Sequence, residues 1–380
     1  MAIPLPNLKT GTMGGVPNPS AGDLLAMHES PYILHAVDGV LSKVPVQKSR
    51  LPVDAAQRHQ GIRVAMAGDE TVYVRQPNIM CKSADGGRTW TSYRCNPPES
   101  VGYFQILEDG TFIALQIARI EGDTYWIRSA NVWASTNQGA SWDLLTQIER
   151  PTTFNGIDYE WWYPSYPLHR LPDDTLLWPV MLLNEVNTGP PYTKIVANYR
   201  STDGGKTWQG PTPFVDWCSE GGMTRTASGK LLAAVRYQRE PLPDDPPGLA
   251  EQLGDRGNRG ASKAMYKHVF LTESVDGGRT WKNFRQLTTV FGQCFGIPAA
   301  LPDGRVTLVH TTPYGPGSRG SRAMISHDEG DTWQDETYYL TFSEPSGYNM
   351  SVVFKDGVVL TVVARNDDEP LTAIRWQPVK

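Results

Sequence analysis

The sequence predicts an all-β protein, a six-bladed β-propeller in which six four-stranded sheets form a closed ring. Two repeated features predict this fold. The pattern Ser-x-Asp/Asn-x-Gly-x-Thr/Ser-Trp, here called the box, occurs at 83–90, 135–142, 201–208, 274–281 and 326–333. Polar turns followed by β-rich runs occur at 68–69, 109–110, 173–174, 228–229, 303–304 and 356–357. Repeats at this spacing indicate one supersecondary unit per copy, and a ring of blades buries the faces of such units.

The box has the composition of a tight hairpin with a structural role. Its aspartates accept backbone N–H bonds, and the glycines that follow adopt the positive φ that a tight turn requires. The closing tryptophan is large enough to pack between neighbouring blades. Because the box contains neither a nucleophile nor a metal cage, we expect the chemistry to lie elsewhere.

Boxes and turns together divide the chain into blades at about 60–99, 100–150, 155–215, 216–290, 291–342 and from 348 onward. The sixth blade has a turn but no box, so we expect the N-terminal run Tyr32–Ala36 to supply its outer strand. No break in composition divides the chain, which predicts one domain over 1–380 with an N-terminal arm at 1–30. The insertion 238–263 is rich in Pro, Gly, Asp and Arg. We expect it to form a lid, with a disordered loop as the alternative.

Bulk properties exclude several classes of partner and site. A net charge of −5 gives no basis for a nucleic-acid partner, and no apolar run approaches the length of a membrane span. The seven histidines lack metal-ligand spacing, so we predict neither a metal nor a cofactor.

The four cysteines are too scattered for a disulfide scaffold, although Cys81 and Cys95 flank one box and either pair or remain free thiols. The first 22 residues lack the apolar core of a signal peptide. The compartment therefore stays undetermined between the cytoplasm and secretion with a removed leader.

Propeller geometry selects the candidate site residues. The starts of the inner strands and the loops between second and third strands gather around one mouth of the central channel. Three arginines from different blades fall at such positions: Arg63, Arg236 and Arg319. Guanidinium groups that face one point bind a carboxylate or phosphate through charge-assisted bonds. The alternative is that each arginine is a solvated surface residue.

Three further residues have catalytic side chains at the same end. Glu220 and Tyr348 open blades four and six, and a carboxylate beside a phenol is a base–nucleophile arrangement. Glu160 lies in an aromatic run, 159–166, that would serve as a sugar-stacking platform, and burial there would raise its pKa toward that of a general acid. The alternatives are hydrogen-bonded strand residues and ordinary packing of Trp161 and Trp162.

At residues 60–376 the chain resembles the sialidase (neuraminidase) superfamily, whose six-bladed propellers carry such Asp-boxes (BNR repeats). Four local matches to that family's active-site motifs support the resemblance: 60–65 around Arg63, Ser219-Glu220 with 229–236 ending at Arg236, Ser318-Arg319, and 346–352 around Tyr348. The aromatic and the proline of the family's Phe/Tyr-Arg-Ile-Pro motif are missing around Arg63.

The resemblance implies an exo-acting glycoside hydrolase that cleaves a terminal acidic sugar, such as sialic acid, from a carbohydrate substrate. Tyr348 would attack, Glu220 would take its proton, and the three arginines would hold the substrate carboxylate. The family places its acid/base aspartate in the loop after the second strand of blade one. Here that loop is Gln76-Pro77-Asn78, without a carboxylate, which leaves Glu121, Asp123 and Glu160 as candidates.

Three other functions stay open. Glu160 and Glu220 as paired acid and nucleophile would resemble the exo-acting arabinanases, which are also box-bearing propellers. A polysaccharide lyase acting on uronates would use Tyr166 with His169, and the arginines would neutralise the substrate carboxylate. A non-catalytic glycan-binding propeller is the fourth interpretation, since fold alone does not determine function.

Overall fold

A computed structural model confirms the predicted fold: six antiparallel sheets surround a central channel as the blades of a propeller. It describes residues 12–13, 16–17, 19–53, 62–96, 101–119, 127–159, 161–163, 167–183, 194–216, 218–239, 266–288, 294–312, 320–341, 349–364 and 370–379.

The blades follow one another along the chain, and in blades one to five the strands from inner to outer follow sequence order; in blade six the outer strand comes from the N-terminal part of the chain. Their bounds, from inner to outer strand, are as follows. Blade one is Arg63–Met66, Val72–Gln76, Ile79–Ser83 and Thr91–Arg94; blade two is Val101–Ile106, Phe112–Arg119, Ile127–Ser135 and Asp143–Glu149. Blade three is Trp161–Tyr163 with His169–Arg170, Leu176–Leu183, Lys194–Ser201 and Gln209–Asp216; blade four is Cys218–Arg225, Leu231–Arg239, Tyr266–Ser274 and Lys282–Gln286. Blade five is Cys294–Ala300, Val306–Thr311, Ser321–Ser326 and Thr337–Tyr339; blade six is Met350–Val353, Val359–Val363 and Thr372–Trp376, completed by Gln47–Arg50. Short hairpins form at Thr12–Met13 with Val16–Pro17 and at Thr153–Phe154 with Ile157–Asp158.

Contacts between successive blades close the ring. The inner strand of each blade lies against the next blade, and the inner strand of blade six contacts that of blade one. The described cores lie between blades; one cluster, for example, packs Ile113 and Val132 of blade two against Trp162 and Trp178 of blade three. Each blade therefore buries its two faces against its two neighbours.

The prediction for the outer strand of blade six is wrong. Tyr32–Val37 pairs instead with Thr337–Tyr339, the outer strand of blade five, and Val40–Pro45 extends that sheet further. Blade six is completed by Gln47–Arg50, which pairs with Thr372–Trp376. The burial of the two segments explains the difference: Ile33, Leu34 and Ala36 are buried and need a covered position, whereas the polar run Gln47–Arg50 suits an exposed edge. Residues 32–50 are called the strap below.

Part of the predicted N-terminal arm is a helix, Ala21–Glu29. Ser20 and Asp23 form a capping box at its start, and Leu24 and Met27 enter a core cluster shared with the strap and blades five and six. At its C-terminal end the ammonium of Lys48 donates to the carbonyls of Met27, Ser30 and Tyr32 at 2.6, 2.8 and 3.0 Å. These bonds attach the helix to the strap. In the described part of the chain, no helix has the length and apolar character needed to cross a membrane.

The structure also bears on two further sequence predictions, the lid and the pairing of Cys81 with Cys95. The second strand of blade four extends to Arg239, so Gln238 and Arg239 are strand residues, and 240–263 of the predicted lid lies outside the described residues. Cys81 and Cys95 are both buried free thiols in different core clusters.

The boxes form the predicted hairpins through one repeated set of hydrogen bonds. In the third box the N–H of Gly205 donates to Ser201 Oγ at 2.9 Å, and the N–H and hydroxyl of Thr207 donate to the Asp203 carboxylate at 2.9 and 2.6 Å. Burial raises the pKa of Asp203, but the bonds from Thr207 and Ser201 outweigh it, and the net pKa is lowered. The indole of Trp208 donates to Gly205 O at 2.9 Å, which fixes the ring against the blade.

A glycine in the first box tests how tightly box and blade fit. Gly87 has φ of +85°, and a Cβ there would meet Leu360 Cδ1 of blade six at 2.6 Å. Gly110 has nearly the same φ, +83°, with nothing within 4 Å. We expect Gly110→Ala to cost about 1–2 kcal/mol for the left-handed backbone alone, and Gly87→Ala to cost about 1–3 kcal/mol more through overpacking. Urea denaturation of both variants measures the loss in the free energy of unfolding. Equal losses would contradict the prediction that Gly87 packs tightly against Leu360.

Candidate functional site at the mouth of the channel

The candidate site lies at the end of the channel where the inner strands begin, here called the mouth. The box hairpins and the turns between first and second strands lie at the opposite end, because the antiparallel strands alternate direction. The mouth therefore gathers residues from the starts of inner strands and the ends of second strands.

In blade four the structure brings Glu220 and Arg236 together as an ion pair. Glu220 is on the inner strand and Arg236 is on the second strand, beside a register shift between the two. The Arg236 Nη2 and Glu220 Oε2 atoms form the pair, with the glutamate side chain 8% exposed and the arginine side chain 18% exposed. A buried, charge-assisted contact of this kind fixes both side chains.

Ser219 supports this pair and was not assigned a role from the sequence. Its hydroxyl oxygen accepts a bond from Arg236 Nε at 2.8 Å, and the residue is buried. The guanidinium is thus held on two sides by consecutive residues of one strand. Their adjacency, Ser219-Glu220, is visible in the sequence, but the pairing with Arg236 depends on the sheet register.

Blade one contributes Arg63 and a second arginine, Arg75, that sequence analysis also missed. Arg63 begins the inner strand and lies opposite Arg75 in the strand pairing, with its guanidinium carbon 5.5 Å from the Tyr103 ring centroid. Arg75 is 3% exposed and donates to Gly102 O at 3.1 Å. Burial, and secondly the positive charge of Arg63, lower the pKa of Arg75 to about 9. Two arginines from adjacent strands therefore lie side by side at this part of the mouth.

Two of the predicted clamp residues are described: Arg63 lies in blade one opposite Arg75, and Arg236 lies in blade four beside Glu220. Arg319, the third predicted clamp residue, lies outside the described residues, so a common clamp stays a prediction. Arg322, in the following strand, has contacts that support the fold: it donates to Thr341 O at 2.7 Å and stacks on Tyr339 at 4.5 Å.

Comparisons with known proteins agree with this architecture. The family model of the BNR/Asp-box repeat matches residues 199–209, and no curated protein sequence matches the chain. Among solved structures, a protein of unknown function from Dyadobacter fermentans has a TM-score of 0.62 at 19% identity, over 88% of this chain and 99% of its own.

Two solved glycosidases share the same architecture. A Hadza microbial sialidase has a TM-score of 0.60 at 16% identity, over 90% of this chain and 70% of its own. An α-L-arabinanase of Penicillium chrysogenum, complexed with arabinobiose, has a TM-score of 0.58 at 11% identity, over 87% of this chain and 97% of its own. The fold is that of a sialidase-like BNR propeller. At these identities the likeness is one of fold.

Two predicted catalytic residues of this sialidase-like propeller, Tyr348 and Glu160, lie outside the described residues, as do Glu121, Asp123 and Tyr166. Their neighbours are informative. Asn349 follows Tyr348 and is 2% exposed; both polar atoms of its amide are buried and make no hydrogen bond with a described residue. Trp162 is fully buried against Trp178 at a centroid distance of 5.3 Å, so its ring belongs to the core and not to a sugar platform.

The loop of blade one that would hold a sialidase acid is as short as the sequence indicates. The second strand ends at Gln76 and the third begins at Ile79, so only Pro77 and Asn78 connect them. Gln76 itself is buried. This connection therefore offers no carboxylate at the position that the family uses for its acid.

Beneath the mouth the channel contains a cavity of about 250 Å³ lined by the inner strands of all six blades. Its polar lining includes Gln105 and His169, and the His169 Nε2 atom is buried without a hydrogen-bond partner among the described residues. Burial lowers the pKa of His169 to about 4, so the imidazole is neutral at pH 7. In the part of the chain that is described, no three His, Cys, Asp or Glu residues cluster in a way that would hold a metal ion.

The Glu220–Arg236 pair predicts a measurable difference from an exposed pair of the same residue types. Glu220→Gln leaves the buried guanidinium facing an amide, and we expect a loss of about 2 kcal/mol in the free energy of unfolding. Glu108→Gln is the matched control, because Glu108 bonds Arg170 at 2.8 Å but is 77% exposed. Its loss should stay below about 0.5 kcal/mol. Chemical denaturation of both variants measures their free energies of unfolding. Equal losses would mean that the Glu220 contact is solvated.

Buried neutral histidines predict loss of stability in acid. Burial lowers the pKa of His310 to about 4, as it does for His169 and His268. A lowered histidine pKa means that the unfolded chain binds more protons between about pH 6.5 and pH 4, so stability is complete above that window and falls as pH falls through it. His310→Leu should reduce the slope of unfolding free energy against pH by about 1.4 kcal/mol per unit in the window. Urea titrations at pH 7, 6 and 5 measure both slopes, and an unchanged slope would contradict the prediction.

Proposed function

We propose that the protein is an exo-acting glycoside hydrolase that releases a terminal acidic sugar, sialic acid or a similar sugar, from an oligosaccharide or glycoconjugate. The buried Glu220–Arg236 pair carries the proposal, because it places a proton acceptor and a guanidinium side by side at the mouth. Sialidase-type chemistry requires both groups there. The shared fold with a sialidase is consistent with this function.

The charge distribution favours an anionic substrate. Arg63 and Arg75 lie opposite each other in the strand pairing, so two guanidinium-bearing residues are adjacent on this side of the mouth. A guanidinium in a poorly solvated site binds a carboxylate through short charge-assisted bonds. The resemblance assigns Arg63, Arg236 and Arg319 to this clamp, and Arg75 adds to its positive field.

In the proposed reaction Tyr348 is the nucleophile. Its phenol oxygen attacks the anomeric carbon, its proton passes to Glu220, and the leaving oxygen takes a proton from the general acid. Water then cleaves the tyrosyl–sugar bond and restores Tyr348, so the configuration is retained. A phenol suits this substrate because an anionic carboxylate nucleophile would be repelled by the carboxylate on the sugar. Glu160, Glu121 and Asp123 remain the candidates for the acid, and residues 240–263 for a lid over the mouth.

One observation favours a second candidate function. The two-residue connection in blade one leaves no position for the sialidase acid. A mechanism that uses Glu160 and Glu220 as its two carboxyl groups does not need an acid at that position. An arabinanase-like retaining mechanism would use Glu160 as acid and Glu220 as nucleophile, with the carboxyl groups about 5–5.5 Å apart. The fold is also shared with an α-L-arabinanase.

A substrate screen with single variants separates the candidates. The substrates are an aryl α-sialoside, an aryl α-L-arabinofuranoside and a uronate-containing oligosaccharide, tested with wild type, Tyr348→Phe and Glu160→Gln. The proposal expects sialoside turnover that falls on the order of a thousand-fold in Tyr348→Phe. Tyr32→Phe in the strap and the exposed Glu108→Gln are matched controls that should retain activity.

The other outcomes overturn the proposal in distinguishable ways. Arabinofuranoside turnover that survives Tyr348→Phe but not Glu160→Gln identifies the second candidate. Growing ultraviolet absorbance from an unsaturated uronate identifies a lyase. Saccharide binding by calorimetry without any turnover identifies a glycan-binding propeller.

A further inference from the structure

A buried carboxylate lies at the seam between the strap and blade five. Glu336 is 6% exposed and is surrounded by three hydrogen-bonding side chains. His35 Nε2 lies 2.9 Å from Glu336 Oε1, the Tyr338 hydroxyl donates to the same oxygen at 2.6 Å, and His327 Nε2 lies 3.4 Å from Oε2. Such a network holds its parts together only while the carboxylate can accept these bonds.

The partners of Glu336 come from separate parts of the chain. His35 belongs to the strap and stacks on the Tyr338 ring of blade five at a centroid distance of 4.3 Å. His327 belongs to the box hairpin of blade five. The Tyr338 hydroxyl in turn accepts a bond at 3.0 Å from the N–H of Val379, near the end of the chain. One carboxylate therefore connects the strap, blade five and the C-terminal segment.

Holding the strap in place also holds the ring closed. The strap continues from His35 to Gln47–Arg50, the strand that completes blade six. From that strand, Ser49 donates to Gly87 O at 2.7 Å and accepts from Trp90 Nε1 at 2.9 Å, which joins blade six to the first box. If the strap leaves blade five, the outer strand of blade six loses its anchor.

We propose that Glu336 is an acid-sensitive lock on ring closure: as a carboxylate it fastens the strap to blade five, and its protonation releases the strap before the other blades unfold. A protonated carboxyl carries no charge and uses one oxygen as a donor, so it can no longer accept charge-assisted bonds from all three side chains at once.

The charged and titratable groups around Glu336 determine how its stabilising effect changes with pH. His35, His327 and Tyr338 face the carboxylate itself, while Arg305 and Asp335 act on the tyrosines of the outer strand. Burial raises the pKa of Glu336, but the bonds from His35, Tyr338 and His327 outweigh it, and the net pKa lies below the ordinary 4.5. The stabilisation is therefore complete above about pH 4.5 and is lost as pH falls through the lowered folded value.

Hydrogen–deuterium exchange measures strap release directly. The observable is the exchange rate of strap amides in Tyr32–Val37 and Gln47–Arg50 divided by that of Leu231–Arg239 in blade four. The ratio cancels the intrinsic pH dependence of exchange, and Glu336→Gln measured at each pH controls for the pH dependence of global unfolding. In wild type we expect a ratio well below that of Glu336→Gln from pH 7 to about pH 4.5. The difference should shrink, by at most about tenfold per pH unit, as pH falls from there through the lowered folded pKa of Glu336.

Variants give the same comparison at neutral pH. Glu336→Gln imitates the protonated group, so its ratio should be raised above that of wild type already at pH 7. Glu108→Gln, an exposed glutamate in blade two, should follow wild type. If Glu336→Gln does not fold, His35→Gln and the wild-type pH series decide, with a raised ratio at pH 7 expected for His35→Gln. A wild-type ratio that lies as far below that of Glu336→Gln at pH 3 as at pH 7, or a Glu336→Gln ratio equal to that of wild type at pH 7, would overturn the proposal.

Discussion

Closure of the ring is the constraint on which the rest of the structure depends. Each blade is covered only by its two neighbours, so the first and last sheets must meet for any core to be complete. The strap achieves this by crossing from blade five to blade six and by bonding the box of blade one through Ser49. The strap therefore joins three blades, and the Glu336 network fastens it to blade five.

The two ends of the propeller are built by different kinds of interaction. At the box end, short local hydrogen bonds such as those of Ser201, Asp203 and Thr207 fix each hairpin without distant partners. At the mouth, residues from separate strands face one another, as Arg63 and Arg75 do, so their placement depends on strand pairing.

Much of the fold and part of the candidate site could be predicted from sequence. The blade count, the hairpins and the positions of Arg63, Glu220 and Arg236 followed from the repeats, because the box and turn residues have strong local preferences. Arg75 was missed because only strand pairing places it beside Arg63, and Ser219 because its partner is Arg236, 17 residues away. The prediction of an aromatic platform was wrong at Trp162, which is buried, because the sequence does not show which face of the sheet a tryptophan occupies.

The sequence by itself determined the repeat unit, and hence the fold, since each box needs only its own eight residues to form. Only the tertiary structure decided which segment closes the ring. Tyr32–Val37 and Gln47–Arg50 both have the character of strands, and the choice between them depends on which edge leaves apolar side chains covered. The same holds for Glu336, whose partners His35 and Tyr338 are distant or unremarkable in sequence and meet only because the strap crosses blade five.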